Sequence, residues 1–163
     1  MKGYIEFEVK FFTDHAACKQ KVQNLGGLCI RKNGLMRRFV FIVAGNVNQW
    51  IRVRHEGEYV TLTIKSYDPA KQIDGVCELE IKVSDFDTTV QMLHALGYKK
   101  SLYVENYREI WKLEDCLLMF DLWPGLDPFV EIEGPSKEPV EKVADLLGLS
   151  REDALYGPNR LLY

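Results

Sequence analysis

Eight strand-like segments against three helical ones predict a mainly β (α+β) fold, an antiparallel barrel or sandwich with helices packed on the outside. Two observations carry that reading. Apolar and charged residues alternate at period two along most segments, as in strands with unlike faces. Three stretches alone combine helical spacing with a capping residue and a terminal glycine, or nearly so. No low-complexity tract, Pro/Ser linker or internal repeat divides the 163 residues, so a single domain over 1–163 is expected.

In chain order, Tyr4–Phe12 is the first strand. Thr13-Asp14 caps a helix to Leu25, with Ala17, Cys18, Lys21, Val22 and Leu25 setting its faces and Gly26-Gly27 ending it. Strands follow at Leu35–Val43, Gln49–His55, Tyr59–Tyr67 and Val76–Val83. Ser84 or Asp85 opens a second helix, whose Phe86, Val90, Leu93 and Leu96 recur at threes and fours before Gly97. Leu102–Leu113, Cys116–Leu122 and Phe129–Glu133 are the last strands. Ser136 opens a third helix that buries Val140, Val143, Ala144 and Leu147 and stops at Gly148. Ser150 with Asp153 marks one more short turn.

Composition excludes several classes. Hydrophobic residues at 47% and charged ones at 28% are those of a globular protein, not a disordered chain. Twenty-one Lys and Arg against 24 Asp and Glu leave a net charge of -3, so no nucleic-acid partner is expected. The longest apolar runs, such as Phe39 to Ala44, are strand-sized, and no membrane association is expected. The N-terminal Met1-Lys2-Gly3-Tyr4-Ile5-Glu6 shows no secretory signal. Cys18, Cys29, Cys77 and Cys116 lack metal-ligand spacing and read as reduced thiols, which makes a cytoplasmic location the expectation. His15, His55 and His94 show no paired ligand spacing either.

The charged faces carry the functional argument. Glu6, Glu8 and Lys10 share one face of the first strand, backed by Ile5, Phe7, Val9 and Phe11. Arg52 and Arg54 are backed by Ile51 and Val53; Thr61, Thr63 and Lys65 by Leu62 and Ile64; Glu78, Glu80 and Lys82 by Leu79, Ile81 and Val83. Asn106 with Arg108, then Asp121, then Glu131 with Glu133 continue the pattern. If the sheet closes, these faces line a lumen and the apolar faces lie outward under helices. Such an interior is costly if dry and unpaired. It suits a wet tunnel in which cations take phosphate oxygens and carboxylates take a hard divalent metal.

These motifs resemble the CYTH, or triphosphate tunnel metalloenzyme, family. Glu6-Phe7-Glu8-Val9-Lys10 is similar to its E-x-E-x-K opening, and five further elements follow in order: Trp50-Ile51-Arg52-Val53-Arg54, Thr61-Leu62-Thr63-Ile64-Lys65, Tyr107-Arg108-Glu109-Ile110-Trp111, Phe120-Asp121-Leu122 and Phe129-Val130-Glu131-Ile132-Glu133-Gly134. Their spacing resembles the class IV adenylyl cyclase branch. The resemblance implies a closed eight-stranded antiparallel barrel that holds a small-molecule triphosphate with Mg2+ or Mn2+, as a monomer or homodimer. It implies that Lys10, Arg52, Arg54, Lys65, Asn106 and Arg108 bind the triphosphate. Glu6, Glu8, Asp121, Glu131 and Glu133 would bind metal, with the Glu78/Glu80 pair as further candidates, and Glu6, Glu8, Lys10 and Arg108 would be catalytic. Two departures stand out: Asn106 replaces a usual Lys, and Val76-Cys77 stands where a basic residue commonly precedes Glu78.

The implied activity is cleavage of a triphosphate, with hydrolysis of inorganic, nucleoside or thiamine triphosphate as the first expectation. Conversion of ATP to cyclic AMP and pyrophosphate is the alternative, and a non-catalytic triphosphate or polyphosphate binding module is the third.

Overall fold

The computed structural model describes residues 3–162, apart from the side chains at positions 100, 101 and 160; Met1, Lys2 and Tyr163 of the expected domain lie outside the described residues. Eight strands, β1 (Tyr4–Phe12), β2 (Leu28–Val43), β3 (Asn46–His55), β4 (Val60–Tyr67), β5 (Val76–Val83), β6 (Lys100–Leu113), β7 (Cys116–Leu122) and β8 (Phe129–Gly134), close into one barrel. Their order around it is β1-β5-β4-β3-β2-β6-β7-β8, and neighbours are antiparallel throughout. Closure, not a sandwich, is the outcome.

Helices α1 (His15–Asn24), α2 (Phe86–Ala95) and α3 (Lys137–Leu147) pack outside. Asp14 caps α1 by accepting from the Ala17 amide at 2.7 Å, and Asp85 caps α2 through the Thr88 amide at 2.7 Å. Ser136 stands at the start of α3 but its hydroxyl makes no capping bond. Gly148 ends α3 at φ 69°, a left-handed conformation that favours glycine.

The core is therefore a shell between the barrel wall and its helices. Val9, Phe11, Leu118, Phe120, Val130 and Ile132 meet Cys18 and Val22 of α1 and Val140, Val143, Ala144 and Leu147 of α3. Phe41, Ile51, Val53 and Val60 meet Phe86, Val90 and Leu93 of α2. A Cβ on Gly134 would come within 2.8 Å of both Cys116 Sγ and Val140 Cγ2, so glycine lets α3 sit tightly on β8.

The structure corrects three expectations. β2 starts at Leu28 rather than Leu35, because register shifts around Arg31 and Gly34 break the alternation while pairing with β6 continues. Leu25 and Leu96 are exposed instead of facing the core, since each is the C-cap residue that leaves its helical face. Helical cover is also incomplete: Leu79 and Ile81 on β5 are exposed, as is Ile5 on β1. Three helices do not span the circumference of eight strands. All four cysteines are free thiols, and no helix is long and apolar enough to cross a membrane.

Candidate functional site

Period-two alternation and closure turn the charged faces inward. Glu8, Lys10, Arg52, Thr61, Thr63, Lys65, Asn106, Arg108, Asp121 and Glu131 are all buried, although most are residue types that seek water. Most of them meet one another across strands.

Two chains of contacts result. In one, Lys10 Nζ on β1 donates to Glu8 Oε1 at 2.6 Å and to the Gly157 carbonyl at 3.0 Å, and lies 3.2 Å from Glu131 Oε2 on β8. Arg108 on β6 stands 3.6 Å from Glu131 and grips Asp121 on β7 with a fork, Nε to Oδ1 at 2.8 Å and Nη2 to Oδ2 at 2.5 Å. Asn106 Nδ2 donates to the same Asp121 Oδ1 at 2.9 Å. In the other, Lys65 on β4 pairs with Glu6 at 2.6 Å and Glu78 at 3.1 Å, and Arg52 pairs with Glu80 at 3.2 Å. Arg54 lies 3.9 Å from Glu80 and pairs closely with Glu56. Thus every sequence-predicted site residue lines the same lumen or its rim, with Glu133 half-buried and outside these ion pairs among the described residues.

Burial and neighbours set the charges. Burial opposes the charge on Lys10, yet Glu8 and Glu131 hold its ammonium above the ordinary lysine range. Arg108 is likewise held fully charged by Asp121 and Glu131 against its burial. Burial would raise Glu131, but Lys10 and Arg108 pull it well below the carboxylate range. Glu133 shows the opposite balance: burial and then Glu6, Glu131 and Glu8 push its carboxyl up to about 7. Glu8 is also raised, chiefly by burial and against the pull of Lys10.

Two lumen residues were missed at the level of sequence. Arg38 on β2 is 4% exposed; it donates to Asn106 Oδ1 and stacks with its guanidinium carbon 4.5 Å from the Trp123 ring centroid. Its neighbour Arg37 points outward over the Phe86 ring at 4.3 Å. Parity was the available signal: Phe39 and Phe41 pack toward α2, which sends Arg38 inward. Glu56, one residue beyond β3, is buried with its carboxylate between Arg54 and Arg31, the latter at 3.0 Å. Those arginines lower it to about 2 against its burial.

Asn106 does not stand free for a ligand, because its oxygen accepts from Arg38 while its amide donates to Asp121 and, at 3.3 Å, to the Tyr107 carbonyl. Asp121, expected as a metal ligand, has both oxygens engaged by Arg108 and Asn106. No three His, Cys, Asp or Glu side chains among the described residues form a ready cation cage, since Lys10 lies between Glu8 and Glu131 and Lys65 lies on Glu6. The donor set nevertheless fits a hard divalent ion. Glu6, Glu8, Glu131 and Glu133 bring only carboxylate oxygens, and their mutual repulsion leaves Glu133 short of positive charge.

The CYTH domain matches residues 45–156, more than half of the chain but not the Glu6-x-Glu8-x-Lys10 strand. A Methanocaldococcus jannaschii protein named "Putative adenylate cyclase MJ0240" is 28% identical over 138 residues, 79% of this chain and 76% of its own. The Pyrococcus horikoshii protein PH1012 has a solved structure that superposes with a TM-score of 0.85 at 25% identity, covering 97% of this chain and 99% of that one. A Hippeastrum protein named "Putative adenylyl cyclase HpAC1", described as having a dominant triphosphatase activity, shares the fold with a TM-score of 0.59 at 19% identity, over 94% of this chain and 90% of that one. With its closed eight-stranded barrel and the match over residues 45–156, the chain belongs to the CYTH domain family.

Proposed function

We propose that the whole chain, 1–163, acts as one enzyme that binds a small-molecule triphosphate in the barrel lumen with a divalent metal ion and hydrolyses it. The observation that carries this reading is the division of the lumen into a guanidinium cluster (Arg52, Arg54 and Arg108, with Arg38) and a carboxylate cluster (Glu6, Glu8, Glu131 and Glu133). An anion that brings its own cation satisfies both at once. A module that only binds phosphate has no use for four clustered carboxylates.

Arg52, Arg54 and Lys65 neutralise non-bridging phosphate oxygens along one wall, and Arg108 with Lys10 does so along the other. Asp121 holds the Arg108 fork in plane, so that the guanidinium presents its remaining donors in a fixed direction. Glu6, Glu8, Glu131 and Glu133 would hold Mg2+ or Mn2+, which supplies Lewis-acid stabilisation of the phosphate charge. Attack of water on the terminal phosphorus forms one P–O bond as the bridging P–O bond breaks, and the water's proton passes to the leaving oxygen or to solvent, giving inorganic phosphate and the corresponding diphosphate. The name of the Methanocaldococcus jannaschii relative favours a second reading, in which the ribose 3'-hydroxyl attacks the α-phosphorus and pyrophosphate leaves. The activity described for the Hippeastrum protein is consistent with the first.

Incubation with ATP, inorganic tripolyphosphate and thiamine triphosphate, each with Mg2+ or Mn2+, separates the two. Release of inorganic phosphate from more than one of them is the expected result. Cyclic AMP and pyrophosphate from ATP alone would replace hydrolysis by cyclisation, and no turnover of any would defeat the enzymatic reading.

A further inference from the structure

Among the described residues, every cation lining the lumen but one forms an ion pair with a carboxylate. Lys10, Arg52, Arg54, Lys65 and Arg108 all form ion pairs within 4.0 Å. Among the described residues Arg38 has none, although it is 4% exposed and faces the same interior. Its partner is the neutral amide of Asn106, and its Nε has no hydrogen-bond partner. The Nε atoms of Arg52 and Arg54 are likewise buried and unpartnered. Burial, followed by the like charges of Arg54, Arg52 and Arg108, disfavours its charged form. A buried cation left in that state is expensive to keep for structure alone.

What holds Arg38 is geometry rather than charge. The guanidinium stacks on Trp123, and one of its amino groups is fixed by Asn106, whose own amide is anchored on Asp121. The fork is thereby oriented before any ligand arrives, with donors left to give.

We infer that Arg38 is a triphosphate-binding residue, a guanidinium reserved for an oxyanion of the ligand and held ready by Trp123 and Asn106. The inference rests on the triphosphate reading of the lumen and adds the residue that supplies positive charge beside the neutral Asn106. It also assigns Asn106 a positioning role, orienting Arg38 instead of contacting the ligand.

The test is calorimetric binding of inorganic tripolyphosphate to the full chain, with thermal unfolding measured alongside. Arg38→Gln is expected to weaken binding about 10- to 100-fold, the range for one lost charged hydrogen bond. Its melting temperature should stay level or rise, because a buried like-charge contact is relieved; a residue kept for structure would lower it. Arg38→Lys, which keeps the charge without the stacked fork, should fall between wild type and Arg38→Gln. Arg38→Gln combined with Asn106→Lys should recover part of the lost affinity by returning a cation to the adjacent strand. Wild-type affinity in Arg38→Gln, or weakened binding only in step with unfolding in both Arg38→Gln and Arg38→Lys, would overturn the assignment. A wild type that binds tripolyphosphate yet cleaves no triphosphate would defeat the proposed hydrolysis while a loss in Arg38→Gln still supported Arg38. A wild type that binds no tripolyphosphate would overturn both.

Discussion

Around Glu133 the lumen gathers Glu6, Glu8 and Glu131; around Arg38 it gathers Arg52, Arg54 and Arg108. Arg38 is buried, Glu133 half-buried, and both face their own sign of charge, so each is pushed toward its neutral form, Glu133 upward and Arg38 downward. The rest of the interior is matched in pairs: Lys10 with Glu8, Lys65 with Glu6, Arg108 with Asp121, Arg54 with Glu56. The matched pairs hold the closed barrel at modest net gain, since desolvation offsets much of their attraction. The two centres, Glu133 and Arg38, themselves form no ion pair among the described residues, and the partial pull of Lys65 on one and Asp121 on the other does not offset burial and like charge. Their opposite signs mark where a ligand with opposite charges at its two ends would contribute most.

The largest effect should come from the carboxylate cluster. Glu8→Gln is expected to lower triphosphate turnover by about 100-fold or more, and excess EDTA should abolish it. Undiminished turnover in EDTA would break the comparison, for the carboxylates would then have no cation to hold.

Next is the arginine cluster. Arg54→Ala should weaken triphosphate binding by ~1.5–3 kcal/mol, the worth of a charge-assisted hydrogen bond. Arg54→Lys should also lose affinity, because an ammonium lacks the planar fork. Calorimetry that finds Arg54→Ala unchanged would take that residue out of the site and confine the anion to the Arg38–Arg108 side.

The pH dependence of stability should differ between Glu133 and Glu56. Glu133 is raised from an ordinary 4.5 to about 7, so the folded state holds its proton longer than the unfolded state. Stability from this group is present below about 4.5 and is lost as pH rises through about 7. Glu56 is lowered from 4.5 to about 2 by Arg54 and Arg31, so its contribution is present above 4.5 and is lost as pH falls toward 2. Melting temperatures in metal-free buffer from pH 5 to pH 8 should therefore rise in Glu133→Gln relative to wild type at the alkaline end, about 2–4 °C for each kcal/mol relieved. Mg2+ should produce the same flattening in wild type. A wild-type profile unaffected by both would show that Glu133 carries no uncompensated charge.

The smallest effect is expected from Asn106→Lys alone. Its ammonium would stand against Arg38, so the added attraction for phosphate is offset by repulsion. Tripolyphosphate affinity should change by a few-fold at most, and less at high salt. A large gain would mean that Arg38 swings away and that the two positions act independently.

Side-chain parity is a local property of an extended chain, so the sequence alone determined which faces are charged and where most strands lie. β1, β5 and β7 fall where alternation places them, and the lumen set from Glu6 to Glu131 follows from that period. Motif order likewise identified the family before any geometry was known, including Glu6, Glu8 and Lys10, which lie before the matched span of 45–156. Local pattern could not say which charge meets which. That depends on register and strand order: Lys10 faces Glu131 because β1 pairs with β8, and Lys65 reaches Glu6 because β5 lies between β4 and β1 and brings their inward faces together. Arg37 and Arg38 look alike in sequence, and the packing of Phe39 and Phe41 under α2 is what sends one to the surface and the other inside. The same holds for Asn106, a missing cation by sequence and a support for Arg38 in the folded protein, because a long-range strand pairing brings β2 beside β6.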